Sequence, residues 1–99
     1  MRAIKKYVDH IEEEIEGAKE YAEHYVECKA KGDMYRANKY KDMANDELGH
    51  AMNIHEFAVK EIEQISKVYT APVEMLEKWE AAHKKYVQEV AWVKQMLSL

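Results

Sequence analysis

The amino-acid sequence predicts an all-α fold: a long antiparallel hairpin of two helices, then a third helix, with a four-helix or larger bundle completed by self-association. Three observations carry that expectation. Apolar residues recur at alternating spacings of three and four over long stretches, the period of one helix face and not of a strand. The 99 residues include only three Gly and one Pro, with 34% charged and 47% hydrophobic, a balance suited to long amphipathic helices. Breaks in the pattern fall at Gly32-Asp33 and around Pro72, which divides a single domain into helices over about residues 2–31, 34–67 and 72–97.

In the first helix, Ile4, Val8, Ile11, Ile15, Ala18, Ala22 and Tyr25 form one narrow apolar seam. The opposite face carries Asp9, Glu13, Glu16, Glu20, Glu23 and Glu27 with His10 and His24, and reads as solvated. Glu12 and Glu14 flank the seam. Such flanking acids are often rim residues reaching water, but a carboxylate drawn into the seam needs a partner. Gly17, one turn beyond Glu14, leaves space beside that carboxylate, and Tyr21 follows on the same flank. Its hydroxyl could serve a ligand or its ring could pack in the seam.

Lys29 and Lys31 suit the negative end of a helix dipole, Gly32 supplies a left-handed cap, and Asp33 caps the next helix. So short a connection forces an antiparallel hairpin in which residue numbers at one level sum to about 65. Glu14 then lies level with Ala51, about 1.5 Å along the axis from His50 and about 6 Å from Glu47.

The seam of the second helix reads Tyr40, Ala44, Glu47, Ala51, Ile54, Ala58, Ile62 and Ile65, apolar except at Glu47. An ionised carboxylate on a buried stripe costs several kcal/mol unless it is paired, hydrogen-bonded or metal-bound. A buried salt bridge or a polar oligomer seam would satisfy it, as would an ion. Glu47 and His50, three apart, project from the same side, so a carboxylate oxygen and an imidazole nitrogen can reach one metal ion. This Glu-x-x-His spacing is the half-site of carboxylate di-metal bundles. His55, on the other flank, reads as a surface or interface residue.

A turn is expected around Ser66 to Ala71, with Pro72 in the first turn of the third helix. The seam there is Leu76, Trp79, His83, Tyr86, Val90, Val93 and Leu97. Glu80 and His83 repeat the Glu-x-x-His spacing, but the expected levels place His83 opposite Phe57, about 10 Å along the axis from His50. His83 is therefore expected as a core histidine bonded to a Tyr or Glu neighbour. Glu89 falls level with Ala51 and is the favoured additional ligand from this helix. Tyr21, Glu80 and His83 complete the secondary candidates. Trp92, off the seam, points to a subunit interface.

A net charge of −4 and a pI near 5.7 lack the basic footprint of a nucleic-acid binder. No run approaches the roughly 18 apolar residues of a membrane span. The single Cys28 cannot form an internal disulfide, so a cytoplasmic location is the expectation. A chain of this length builds a modest core, and a homo-oligomer, dimeric or higher, is expected to add burial.

The motifs Glu14-x-x-Gly17-x-x-x-Tyr21 and Ala44-x-x-Glu47-x-x-His50-Ala51 together resemble the first helical hairpin of the ferritin-like di-iron carboxylate superfamily, rubrerythrins and short encapsulated ferritins in particular. The run Asn45-Asp46-Glu47-Leu48-Gly49-His50-Ala51-Met52 is most similar to the encapsulated type. The resemblance spans about residues 8 to 60. It implies a terminal ligand at Glu14, a bridging ligand at Glu47 and an imidazole ligand at His50. It also implies iron as the bound metal, ferroxidase chemistry with O2, and two chains that each bring half of the ligands to a shared centre. Oxygen-rich donors with one imidazole per ion suit iron or manganese better than structural zinc, though zinc fits such a set too. The third helix, with Glu80-x-x-His83, has no counterpart in that pattern. A rival reading of the same residues is a helical scaffold module in which Glu14, Glu47 and His50 form a buried polar network that fixes register. A third is structural metal binding without turnover.

Overall fold

A computed structural model describes residues 2–68 and 70–99, without the side chain of Arg2. Three helices account for nearly all of it: α1 (Arg2–Ala30), α2 (Met34–Val68) and α3 (Val73–Leu97). They form a rod of 55 × 17 × 17 Å.

The turn between α1 and α2 is built by its sequence. Gly32 takes φ 79, the left-handed conformation that a Cβ disfavours. The Asp33 amide donates to the Cys28 carbonyl at 2.9 Å and the Gly32 amide to the Lys29 carbonyl at 3.0 Å, a Schellman closure. Asp33 then serves α2, its Oδ1 accepting the Arg36 amide at 3.1 Å.

The two long helices pack through small residues. Ala18 and Ala22 of α1 and Ala37, Ala44, Ala51 and Ala58 of α2 are all at 0% exposure. Around them Ile4, Ile11, Ile15 and Tyr25 are buried, so the α1 seam faces inward as its spacing requires, with Val8 half-buried. On α2 the buried large residue is Leu48, and Glu47 lies half-buried on the flank instead of at the seam's centre. The physical reason is the width of the stripe: with alanines at the closest approach, a larger apolar side chain one position along fills the space toward α3.

The expected turn at Ser66–Ala71 starts later, because α2 continues through Ser66 to Val68; Tyr69 lies outside the described residues. Pro72 caps α3 rather than joining its first turn, with φ −58 and ψ 133 and its carbonyl accepting the Leu76 amide at 3.2 Å. Cross-helix partners climb together along α1 and α3: Glu12 faces Lys85 at 3.9 Å, Lys19 faces Glu89 at 3.3 Å, and Lys29 donates to the Leu99 carbonyl. Hence α3 runs parallel to α1 and packs chiefly on it, touching α2 only sparsely. Met75, Val93 and Leu97 are its buried residues, while Leu76, expected inside, is 40% exposed. The outer helix surface carries Trp92, with the Lys19 ammonium 5.7 Å from its ring centre.

Candidate metal centre

The α1–α2 hairpin has two sides. On α1, positions 12 and 19 lie roughly 140–200° around the helix from positions 14 and 17, so α3 covers one side and Glu14 and Gly17 belong to the other. That uncovered side is ordered along its length. Tyr7 meets Phe57 at one end with ring centres 6.4 Å apart. At the other end, Tyr40 lies against Tyr21 and His24, at 6.2 and 4.9 Å. Between these aromatic ends lie Glu14, Glu47 and His50.

The residue numbers of Tyr7 and Phe57, Glu14 and His50, Gly17 and Glu47, and His24 and Tyr40 all share one total, one unit below the register expected from the turn. That register makes the cluster. Glu14, Glu47 and His50 each offer one ligand atom, and the three atoms lie within 4.8 Å of one another. Three donors each about 2.1 Å from a shared ion stand about 3.0–3.6 Å apart, so the group has to close by roughly 1–2 Å at most to become a coordination shell. Among the described residues no further carboxylate, imidazole or thiolate joins it.

Glu14 is the hub. Its Oε2 lies 3.4 Å from His50 Nδ1 and its Oε1 3.1 Å from His10 Nε2. The Glu14 and Glu47 carboxylates also face each other. Hydrogen bonding from Glu47, then from the two imidazoles, holds Glu14 below its usual range. The same hydrogen bonding, burial and the charge of Glu14 push Glu47 up. The two carboxylates are thus pushed in opposite directions, Glu14 toward the ionised form and Glu47 toward the protonated form. Gly17 makes the pairing possible: a Cβ there would meet Glu47 Oε2 at 3.2 Å. The space that the sequence reserves beside Glu14 is filled by the carboxylate from the facing helix. The side chain of His50 remains 58% exposed, so the cluster is open on the face away from α3.

The secondary candidates lie elsewhere. Glu89 pairs with Lys19 at 3.3 Å and Lys85 at 3.9 Å, on the α3 side of α1. Glu80 is exposed on α3. His83 hydrogen-bonds to His55 at 2.9 Å, not to a Tyr or Glu. The expected level of α3 assumes packing against α2; with α3 on α1, His83 lies opposite His55, two residues from Phe57. His55 is accordingly no surface residue: it is part-buried and stacked on Tyr86, 4.6 Å between ring centres, and beside Trp79 at 5.2 Å. Burial, reinforced by His83, lowers its pKa. Tyr21 stacks on Tyr40 and does not reach the carboxylates as an observed hydrogen-bond donor.

Sequence reading places His10 on the solvated face, yet its ring is bound to Glu14. The four-residue spacing of His10 and Glu14 is the signal that identifies this contact.

Comparison with protein-family models, curated proteins and solved structures found no match. The chemistry of the donors is therefore the guide to which ion would suit them. Two carboxylates and one imidazole, without thiolate, suit a hard to borderline divalent cation such as Fe(II), Mn(II) or Zn(II), and the spacing fits one such ion. Among the described residues no helix is long and apolar enough to cross a membrane.

Proposed function

We propose that this chain is a ferritin-like iron-binding protein whose metal centre is completed by pairing two chains across the uncovered face of the hairpin, and that it oxidises Fe(II) with O2. The convergence of Glu14, Glu47 and His50 on that face carries the reading. A single chain brings three donors, half of the ligand set of a carboxylate di-metal bundle, and leaves them open to one side. Aromatic groups flank the cluster on both sides along the rod, which suits burial against a second hairpin. Fe(II) is the substrate, giving one electron per ion to O2.

The residues' own contributions follow from the geometry. Glu14 supplies Oε2, Glu47 a second carboxylate and His50 Nδ1. The exposed rings of His10 and His50 leave that side of the cluster open to water.

One observation favours the scaffold reading instead: Glu14 already meets the His10 and His50 rings, at 3.1 and 3.4 Å, without an ion. An aerobic Fe(II) titration of metal-stripped protein separates the readings. Rapid oxidation saturating near about one iron per chain, and lost in Glu47→Ala, is the expected result for a centre shared by two chains. Oxidation no faster than in protein-free buffer, with no iron retained, overturns the proposal in favour of the scaffold.

A further inference from the structure

We infer that His10 is a positioning residue of the metal centre, clamping one oxygen of Glu14 so that only the other is presented to the ion. This inference rests on the metal-binding reading above and extends it to a residue outside the ligand group. His10 sits one turn before Glu14 on α1 and is 48% exposed at its side chain, whereas Glu14 is 19% exposed. A carboxylate oxygen accepts, so in this contact His10 Nε2–H donates to Glu14 Oε1, at 3.1 Å. The clamp and the cluster use different oxygens: Oε1 is held by His10 and Oε2 faces His50 Nδ1 at 3.4 Å.

Two consequences follow. A carboxylate with one oxygen held from behind is biased against chelating through both, so Glu14 is expected to bind through Oε2. The side chain of a Glu on a helix flank also has freedom to swing into water, and the His10 bond removes part of that freedom before the ion arrives. His10 has no such contact with Glu47 or His50, and its ring is not one of the three converging donors. Its effect passes through Glu14.

The test is a Co(II) titration of metal-stripped protein, followed by calorimetry and by the visible absorption of bound cobalt, for wild type, His10→Ala, His10→Gln and Glu47→Ala. Loss of an outer partner of this kind weakens metal binding about 10–100-fold. His10→Ala is expected to show that loss with an unchanged cobalt band and an unchanged melting temperature. His10→Gln, whose amide donor reaches a similar position, is expected to recover most of the affinity. Wild-type affinity in His10→Ala, or no recovery in His10→Gln, overturns the clamp. A displaced cobalt band in His10→Ala also overturns it, since His10 would then be a direct ligand. If wild type and Glu47→Ala bind cobalt equally, the metal centre itself fails and the clamp with it; if Glu47→Ala alone loses binding, only the clamp fails.

Discussion

The Glu47 carboxylate occupies the space that a side chain on Gly17 would take, with Oε2 3.2 Å from where that Cβ would lie. Gly17→Ala therefore separates fold from site. Replacing a mid-helix glycine by alanine stabilises a helix by about 0.8–1 kcal/mol, and the crowding falls on the movable end of Glu47 rather than on backbone. The expected result is a melting temperature equal to or above wild type, with cobalt affinity lowered on the order of tenfold. A lower melting temperature with full affinity contradicts this account.

Metal affinity should rise with pH. Hydrogen bonding with Glu14, burial and the charge of Glu14 push Glu47 up from its usual value. A proton on Glu47 competes with an incoming cation, so acid opposes metal binding until Glu47 is ionised in the free protein. Cobalt titrations between about pH 5 and pH 8 are expected to show affinity climbing and then levelling. In Glu47→Gln, binding should be lost at every pH.

Acid should loosen the opposite side of the hairpin. His55 is neutral in the folded chain because burial and then His83 lower its pKa from 6.5, whereas the unfolded chain takes up a proton near that value. The stability so gained is present above pH 6.5 and is lost as pH falls from there toward the lowered folded value. Nearby Glu56 acts in the other sense and narrows that window. Urea unfolding from neutral pH down to about pH 5 is expected to show a falling midpoint in wild type and a flatter profile in His55→Gln.

Phe57 is 53% exposed and stands beside Tyr7 at the end of the uncovered face. Phe57→Glu removes no core side chain, so helicity should persist. It places a charge where a second hairpin would pack, and sedimentation is expected to show a shift from paired to single chains with loss of rapid iron oxidation. Unchanged pairing would mean that this face is not the contact.

Much of the hairpin is legible in the sequence because local signals decide it. The Ile4-to-Tyr25 seam states which side of α1 is buried, and Gly32-Asp33 fixes both the turn and the register to within one residue. Once the register is known, Glu14, Glu47 and His50 must meet. The placement of α3 is not local. Its connection has no glycine cap, and nothing in its spacing states that it will pack on α1 rather than α2. A level reckoned from α2 misplaces Glu89 and His83, which face Lys19 and His55 because α3 packs on α1. Spacing alone puts Glu47 at the seam's centre, in step with the alanines; Leu48 and the gap over Gly17 show how a single step around α2 moves it to the flank.

The alanine contact between α1 and α2 acts as a calliper. Methyl groups at Ala18, Ala22, Ala44 and Ala51 lie fully buried between the helices, so their spacing is set by backbone and Cβ atoms that have no rotamers to adjust. The distance that Glu14 must span to reach Glu47 and His50 is therefore gauged from behind, by residues that carry no chemistry of their own.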